Sequence, residues 1–237
     1  MKRKLLDLLV TLALALAGAA TEALAQDDDG PDIEEHPFEV GAQLTFIRIN
    51  FPERVVTSPP LTGASTTLPR DYVDTAGYGG RFGYNANRYL ALEAEVNYLP
   101  ERNLNEVFQS RRVQVFGGVR AGRRWEKVGV FAKARPGAMN FDEYGVRGPC
   151  TFAFAIDSPD CFDQPRTFFA IDLGGVVEYY PTKRTILRVD AGDTVIRFRD
   201  AGPVTFPPAG TFPGSSVFIR RETTHNFQLT FGLGFRF

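Results

Sequence analysis

The chain has 237 residues, with 27 lysines and arginines against 28 aspartates and glutamates, so its formal net charge is −1. This near-neutral balance argues against a nucleic-acid partner. The 23 glycines, the 21 phenylalanines and the near absence of helical periodicity favour a one-domain all-β protein instead.

The N-terminus predicts an export signal. Basic residues near the start precede a mostly apolar run over 8–20, and the tripeptide ALA follows at 23–25. The run is too short for a comfortable membrane span, and the small residues of the tripeptide stand at the positions that a signal peptidase reads. We therefore expect a cleaved signal peptide over 1–25 and an acidic periplasmic segment over 26–37.

Eight segments with alternating apolar and polar residues follow along the chain. Such period-2 alternation indicates β-strands with one apolar face. The segments span 38–50, 75–86, 88–99, 110–124, 127–137, 167–180, 184–197 and 223–237.

Short and long connections alternate between these segments. The links after the second, fourth and sixth segments are tight turns, whereas the other four links are longer. An up-and-down topology then places all short turns at one end and all long loops at the other, as in outer-membrane barrels. The sequence therefore predicts an all-β fold, an eight-stranded antiparallel up-and-down transmembrane β-barrel over 38–237.

A lipocalin-like soluble barrel would show the same alternation with its faces exchanged. The polar face of the strands decides between the two kinds of barrel, because it carries repeated glycines such as Gly77, Gly79 and Gly83. Glycine would weaken a water-facing strand, whereas in a narrow lumen it makes room for large side chains. We therefore expect the apolar faces, including that of the closing segment NFQLTFGLGFRF, to contact lipid.

Two hairpins resemble a known family. GYGGRFGYNANRYLALEAEVNYL at 77–99 resembles the second hairpin of bacterial OmpA-like and OmpX-like barrels, and VFGGVRAGRRWEKVGVFAKARPG at 115–137 is similar to their middle hairpin. The resemblance implies the bacterial cell outer membrane as location, without the peptidoglycan-binding domain of OmpA. It also implies that the barrel-assembly machinery reads a C-terminal signal, here Phe231, Leu233, Phe235 and Phe237.

Inward parity collects six basic and six acidic side chains in the predicted lumen. Because eight strands enclose a space that side chains can fill, we expect a paired charge network that plugs the interior. The protein would then have a structural or narrow-pore role, with a proton path or a gated pore as the alternative. The predicted network comprises Glu39, Arg81, Glu93, Glu95, Arg120, Lys133, Arg135, Asp172, Glu178, Arg188, Asp190 and Arg236.

Enzymatic and metal-binding interpretations have little support in the sequence. Glu93 and Glu95 have a spacing that suits paired catalytic carboxylates, but an arginine-rich wall opposite them explains both. Cys150 and Cys161 predict a disulfide in the third long loop, and since neither histidine is near them, no metal or other cofactor is expected. A lipid-modifying enzyme would centre on His225, but no serine stands at a supportive spacing in its strand.

The long loops supply the remaining hypothesis. Two of them, at 57–69 and 202–216, are rich in Pro, Thr, Gly and Ser and carry little charge. They are read as mobile surface loops or as a binding surface for an extracellular partner, which makes an adhesion module the alternative function.

Overall fold

The computed structural model describes residues 36–57, 65–68, 70–100, 111–142, 165–199, 201–205 and 216–237. This part of the chain forms twelve strands, and none of it is a helix with the length and apolar character to cross a membrane. The strands are β1 (Phe38–Asn50), β2 (Arg54–Thr57), β3 (Ser65–Leu68), β4 (Tyr72–Asn85), β5 (Leu90–Leu99), β6 (Arg112–Arg124), β7 (Val128–Phe141), β8 (Arg166–Tyr179), β9 (Thr185–Phe198), β10 (Ala201–Thr205), β11 (Ser216–Ile219) and β12 (Glu222–Arg236).

Eight long strands close into one barrel in the order β1-β12-β9-β8-β7-β6-β5-β4. Every neighbouring pair is antiparallel. The first and last strands join in register from Glu39↔Arg236 to Ile47↔Gln228, so the barrel has no open edge whose backbone groups would lack partners. The predicted eight-stranded up-and-down barrel is confirmed.

The barrel has a short-turn end and a long-loop end. The short-turn end carries the connections at 86–89, 125–127 and 180–184 together with both ends of the barrel chain. There the Phe38 amide donates to the Phe237 carbonyl at 3.1 Å and the Phe237 amide donates to the Phe38 carbonyl at 2.9 Å. The long-loop end carries the four longer connections, as the alternation of link lengths predicts.

The largest error in strand bounds lies in β7, which continues to Phe141 rather than ending at Gly137. Pro136 and Gly137 form a breaker pair in the sequence, but the strand passes through them, and Pro136 pairs with Ile171 of β8. On the β6 side the paired positions stop at Phe116↔Gly137 and resume at Val119↔Ala134. Proline has no N–H for the ladder, so the wall tolerates it at the expense of pairing with one neighbour.

A second sheet stands beside the long-loop end in the order β10-β11-β2-β3. These strands lie within the first and last long connections, which the sequence predicted as loops. Their order repeats that of the barrel strands β9-β12-β1-β4 that lead into them, so they prolong part of the wall. They have only four or five residues each, too few for alternation to reveal them.

Side chains alternate strictly between the outer face and the interior. In β12 and the residue after it, Phe227, Leu233, Phe235 and Phe237 are exposed on the outer face, while Gln228, Thr230, Gly234 and Arg236 are buried. The interior is therefore the polar side of the sheet along this strand, which is the inverse of a soluble barrel.

Candidate functional site

The structure buries all twelve charged side chains that inward parity selected, each at 5% exposure or less. They occupy the part of the interior toward the short-turn end, and we call them, together with Arg124, the charge layer. Because alternate residues of a strand share a face, the sequence predicts which side chains enter the interior, but it does not predict which of them contact each other.

Arg120 is a central junction of the charge layer. Its Nη1 donates to Glu178, its Nη2 donates to Glu39 Oε2 at 3.2 Å, and its Nε lies 3.2 Å from Glu93 Oε1. Its guanidinium carbon also lies 4.6 Å from the centroid of the Phe131 ring, whose negative face favours a cation. Three strands besides its own thus supply carboxylates to one buried arginine.

Arg135 forms a second junction. Its Nε donates to Asp172 Oδ2 at 3.0 Å, and its Nη1 donates to Glu95 Oε2 at 2.5 Å and to Glu93 Oε2 at 3.3 Å. Lys133 Nζ lies 2.8 Å from the same Asp172 oxygen. Glu93 and Glu95 are therefore held by arginine, which is the arrangement that the sequence offered against a catalytic pair.

Arg188 connects Glu93 with Asp190. Its Nε donates to Asp190 Oδ1 at 2.6 Å and its Nη2 donates to Glu93 Oε2 at 2.9 Å. A buried charge that loses its partner is strongly unfavourable, so shared carboxylates of this kind bind the strands into one electrostatic unit.

Glu39 closes the charge layer at the seam between the first and last strands. Its Oε1 accepts from Arg236 Nη2 at 2.7 Å and from Asn85 Nδ2 at 2.9 Å. At the short-turn end the Tyr180 hydroxyl donates to Glu178 Oε2 at 2.7 Å, and the Arg236 guanidinium lies 5.2 Å from the Tyr180 ring centroid.

Two further arginines are buried in the barrel, and one predicted residue lacks a hydrogen-bond partner among the described residues. Arg112 and Arg124 have the same parity as Arg120 in β6, so extending that parity to the strand ends would have found them. Arg81 is buried, but none of its three guanidine nitrogens has a hydrogen-bond partner among the described residues.

Amide and hydroxyl side chains form a middle layer above the charge layer. Gln43 Nε2 donates to Asn97 Oδ1 at 2.7 Å, and Asn97 Nδ2 donates to Glu95 Oε1 at 2.6 Å. Gln228 Oε1 accepts from Thr194 Oγ1 at 3.0 Å and from Gln114 Nε2 at 3.3 Å. This amide layer joins strands on opposite sides of the barrel.

A cluster of buried apolar side chains lies inside the barrel toward the long-loop end, and it is not among the features predicted from the sequence. The rings of Phe168 and Phe198 lie 4.8 Å apart, those of Phe141 and Phe168 lie 5.6 Å apart, and Phe51 lies 6.2 Å from Phe141. The sequence does contain a sign of this cluster, because the inward-facing residues of β1 change from polar to apolar after Thr45. This apolar layer comprises Ile47, Ile49, Phe51, Leu99, Phe116, Met139, Phe141, Phe168, Ala170, Ile196 and Phe198.

The remaining predicted sites lie elsewhere. Cys150 and Cys161 fall outside the described residues, as does the predicted signal peptide. His225 lies on the outer face with its Nδ1 2.5 Å from Asp193 Oδ2, and both side chains are substantially exposed. Within the described ranges, no group of three His, Cys, Asp or Glu side chains is placed to hold a metal ion.

Comparison with family models shows which protein family this barrel belongs to. The model described as "Outer membrane protein beta-barrel domain" matches residues 11–237. This chain belongs to that family. The barrel therefore lies in the bacterial outer membrane, as the resemblance of its hairpins implied. Comparison with curated proteins gives no significant match.

Solved structures similar to this outer membrane protein beta-barrel domain are distant. Neisserial surface protein A has 13% identity and a TM-score of 0.43 over 84% of this chain and 97% of its own. Ail, the attachment invasion locus protein of Yersinia pestis, has 12% identity and a TM-score of 0.38 over 85% and 99%. OprG from Pseudomonas aeruginosa has 11% identity and a TM-score of 0.43 over 85% and 96%.

Proposed function

We propose that this protein is a non-enzymatic structural barrel of the outer membrane whose lumen is a core and not a channel. The observation that supports the proposal is that three successive layers of buried side chains lie inside the barrel. The large, charged Arg120 and Arg135 are fully buried in the charge layer, and Phe141 and Phe198 are fully buried in the apolar layer. An eight-stranded barrel is narrow enough for side chains to fill it, whereas a wide aqueous channel needs about 16 strands.

The outer face supports the same role. Large apolar side chains such as Leu44, Tyr78 and Phe227 are more than half exposed there, and their burial in hydrocarbon would hold the barrel in the bilayer. Lipid is therefore the partner we propose for this face, with the barrel-assembly machinery as the partner during insertion. A stable, closed barrel contributes to the envelope by occupying the membrane and by presenting its loops.

Ion conductance of the refolded protein in a planar bilayer tests the sealed core. A heat-shift gel first verifies that the barrel is folded, and a conducting porin reconstituted in the same bilayers shows that channels can be detected. We expect no sustained single-channel steps from this protein. Steady steps that change when Arg120 or Glu93 is neutralised would show that the lumen charges line a pore, and the sealed core would be rejected.

The second sheet favours one alternative function, a surface interaction or adhesion module. Its strands prolong the wall beyond β9, β12, β1 and β4, and β3 and β10 stand at its two ends. An extended partner segment could pair with such an edge through backbone hydrogen bonds. Deleting 54–68 from a barrel that still folds tests this hypothesis. Loss of cell attachment to a surface would support the adhesion module, and unchanged attachment would reject it in favour of the structural role.

A further inference from the structure

Arg81 occupies an unusual position inside the barrel. It belongs to β4, yet its guanidinium reaches across β1 to the glycines of β12. A Cβ built on Gly41 would lie 3.2 Å from Nε, one on Gly232 would lie 2.7 Å from Nη1, and one on Gly234 would lie 2.9 Å from Nη2. Gly41, Gly232 and Gly234 therefore form a glycine shelf along which the guanidinium lies, and any larger residue there would displace it.

The nearby carboxylates are engaged by other cations. Glu95 stands opposite Arg81 in the β4–β5 ladder, but its side chain accepts from Arg135. Asp190 lies on β9, the strand next to β12, and it accepts from Arg188. Arg81 Nε, Nη1 and Nη2 are left buried with no acceptor among the described residues.

The charge balance of the interior points the same way. Among the described residues, eight Lys and Arg side chains are buried against six Asp and Glu side chains. Arg112 lies at the long-loop end, which leaves seven cations against six anions in the charge layer. A buried charge without a counter-charge is costly, since it loses its hydration and the low-dielectric interior solvates it poorly.

We propose that Arg81 binds a small monovalent inorganic anion, such as chloride, on the lumen side of the glycine shelf. One negative charge balances the charge layer and accepts the hydrogen bonds that the guanidinium offers. Gln43, which pairs with Gly232 in the β1–β12 ladder, also has a buried Oε1 that accepts no hydrogen bond from the described residues. That amide oxygen, or a water molecule, would supply an acceptor but no charge, so the anion accounts for more of what the structure shows.

Crystals of the refolded protein grown with bromide in place of chloride test this site directly. We expect an anomalous difference peak in contact with the Arg81 guanidinium. The matched variants are Arg81→Gln, in which the peak should vanish, and Arg123→Gln, which removes an exposed arginine of β6 and should keep it. Water or the Gln43 amide at Arg81, with no anomalous signal there, would overturn the proposal.

A solution measurement covers the case in which Arg81→Gln does not fold. The heat-shift midpoint of the wild-type protein is compared in chloride and in gluconate at equal ionic strength, so that general screening is constant. Well above the dissociation constant, each tenfold rise in chloride should raise the midpoint by roughly 3–6 °C. Equal midpoints in the two salts would reject the anion. A conducting barrel would reject the sealed core without removing this site, so the two failures are distinguishable.

Discussion

At the scale of single residues, the interior owes its order to shared carboxylates. Glu93 contacts Arg120, Arg135 and Arg188, so no single pair can be separated from the others. Removing one cation takes a partner from several carboxylates at once, whereas a surface pair loses little because water screens it. The stability of the barrel should therefore respond very differently to arginine substitutions inside and outside.

Replacing Arg135 with methionine tests this difference. Asp172 keeps its contact with Lys133, but Glu95 loses its only arginine partner among the described residues. We expect a loss of about 3–5 kcal/mol in the free energy of unfolding. Urea unfolding of the refolded barrel in lipid vesicles measures it.

The control substitution is Arg111→Met, which removes an exposed arginine 2.8 Å from Asp142. The free energy of unfolding of this variant should fall by about 1 kcal/mol or less. Adding Glu95→Gln to Arg135→Met should restore part of the stability by removing the stranded charge. If the double variant is no better than the single one, the loss reflects packing and not electrostatics.

His225 is predicted to have no catalytic role. Its imidazole is 74% exposed and contacts Asp193, whose other oxygen accepts from the Asn226 amide at 2.7 Å. We expect His225→Ala to leave the lipid profile of the outer membrane unchanged by mass spectrometry, with Asp193→Asn as the companion variant. An altered acyl-chain pattern in both variants would revive the lipid-modifying enzyme.

Parity selected twelve of the fourteen charged side chains that are buried among the described residues, because alternation fixes the face of every strand residue. It could not predict that Arg81 would end against glycines while Glu95, its neighbour across the ladder, would bind Arg135. Which acidic side chain an arginine contacts depends on how far its side chain extends across two or three strands. These distances exist only in the closed barrel, and the alternation pattern of the sequence does not contain them.

At the scale of elements, two roles proposed for the C-terminal strand can be separated by experiment. β12 closes the barrel against β1, and its last residues together with Phe237 form the predicted assembly signal. Phe237 is half exposed and adds a stacked contact with Phe38 at 6.0 Å between ring centroids. A substitution there keeps the backbone hydrogen bonds of the seam, so the folded barrel itself should lose little.

The substitution Phe237→Ser should therefore lower insertion in cells several-fold while refolding into detergent stays near the wild-type yield. Phe227→Ser is the matched control, since Phe227 is also exposed on the outer face but lies in the first half of β12, away from the C-terminal residues. The heat-modifiable fraction in isolated outer membranes gives the readout. Equal losses for both variants would mean that lost apolar area, and not a terminal signal, limits insertion.

The sequence predicted the eight long strands well because each has ten or more residues over which alternation is unmistakable. It placed the end of β7 four residues early, since Pro136 is a local breaker that the surrounding ladder overrides. It missed the second sheet altogether. That sheet forms between two loops far apart in sequence, and it depends on β1 and β12 being neighbours in the closed barrel.

At the scale of the whole molecule, the proposed seal of the interior has two parts, one on each side of the amide layer. The charge layer lies toward the short-turn end and is held by electrostatic pairing, and the apolar layer lies toward the long-loop end and is held by ring contacts. The charge layer draws side chains from all eight barrel strands and the apolar layer from six of them, so we expect either one alone to block ions. This redundancy predicts that conductance requires both layers to be opened.

Three variants test the two seals. Phe168→Ala with Phe198→Ala opens the apolar layer, and Arg120→Ala with Glu178→Ala removes a bonded pair from the charge layer. Each phenylalanine truncation should cost about 3–5 kcal/mol, so only the fraction that remains folded on a heat-shift gel is reconstituted. We expect both double variants to be silent in planar bilayers and the quadruple variant to show single-channel steps. Steps from the phenylalanine variant alone would show that the charge layer admits ions, and the electrostatic half of the core would then be a filter behind an apolar gate.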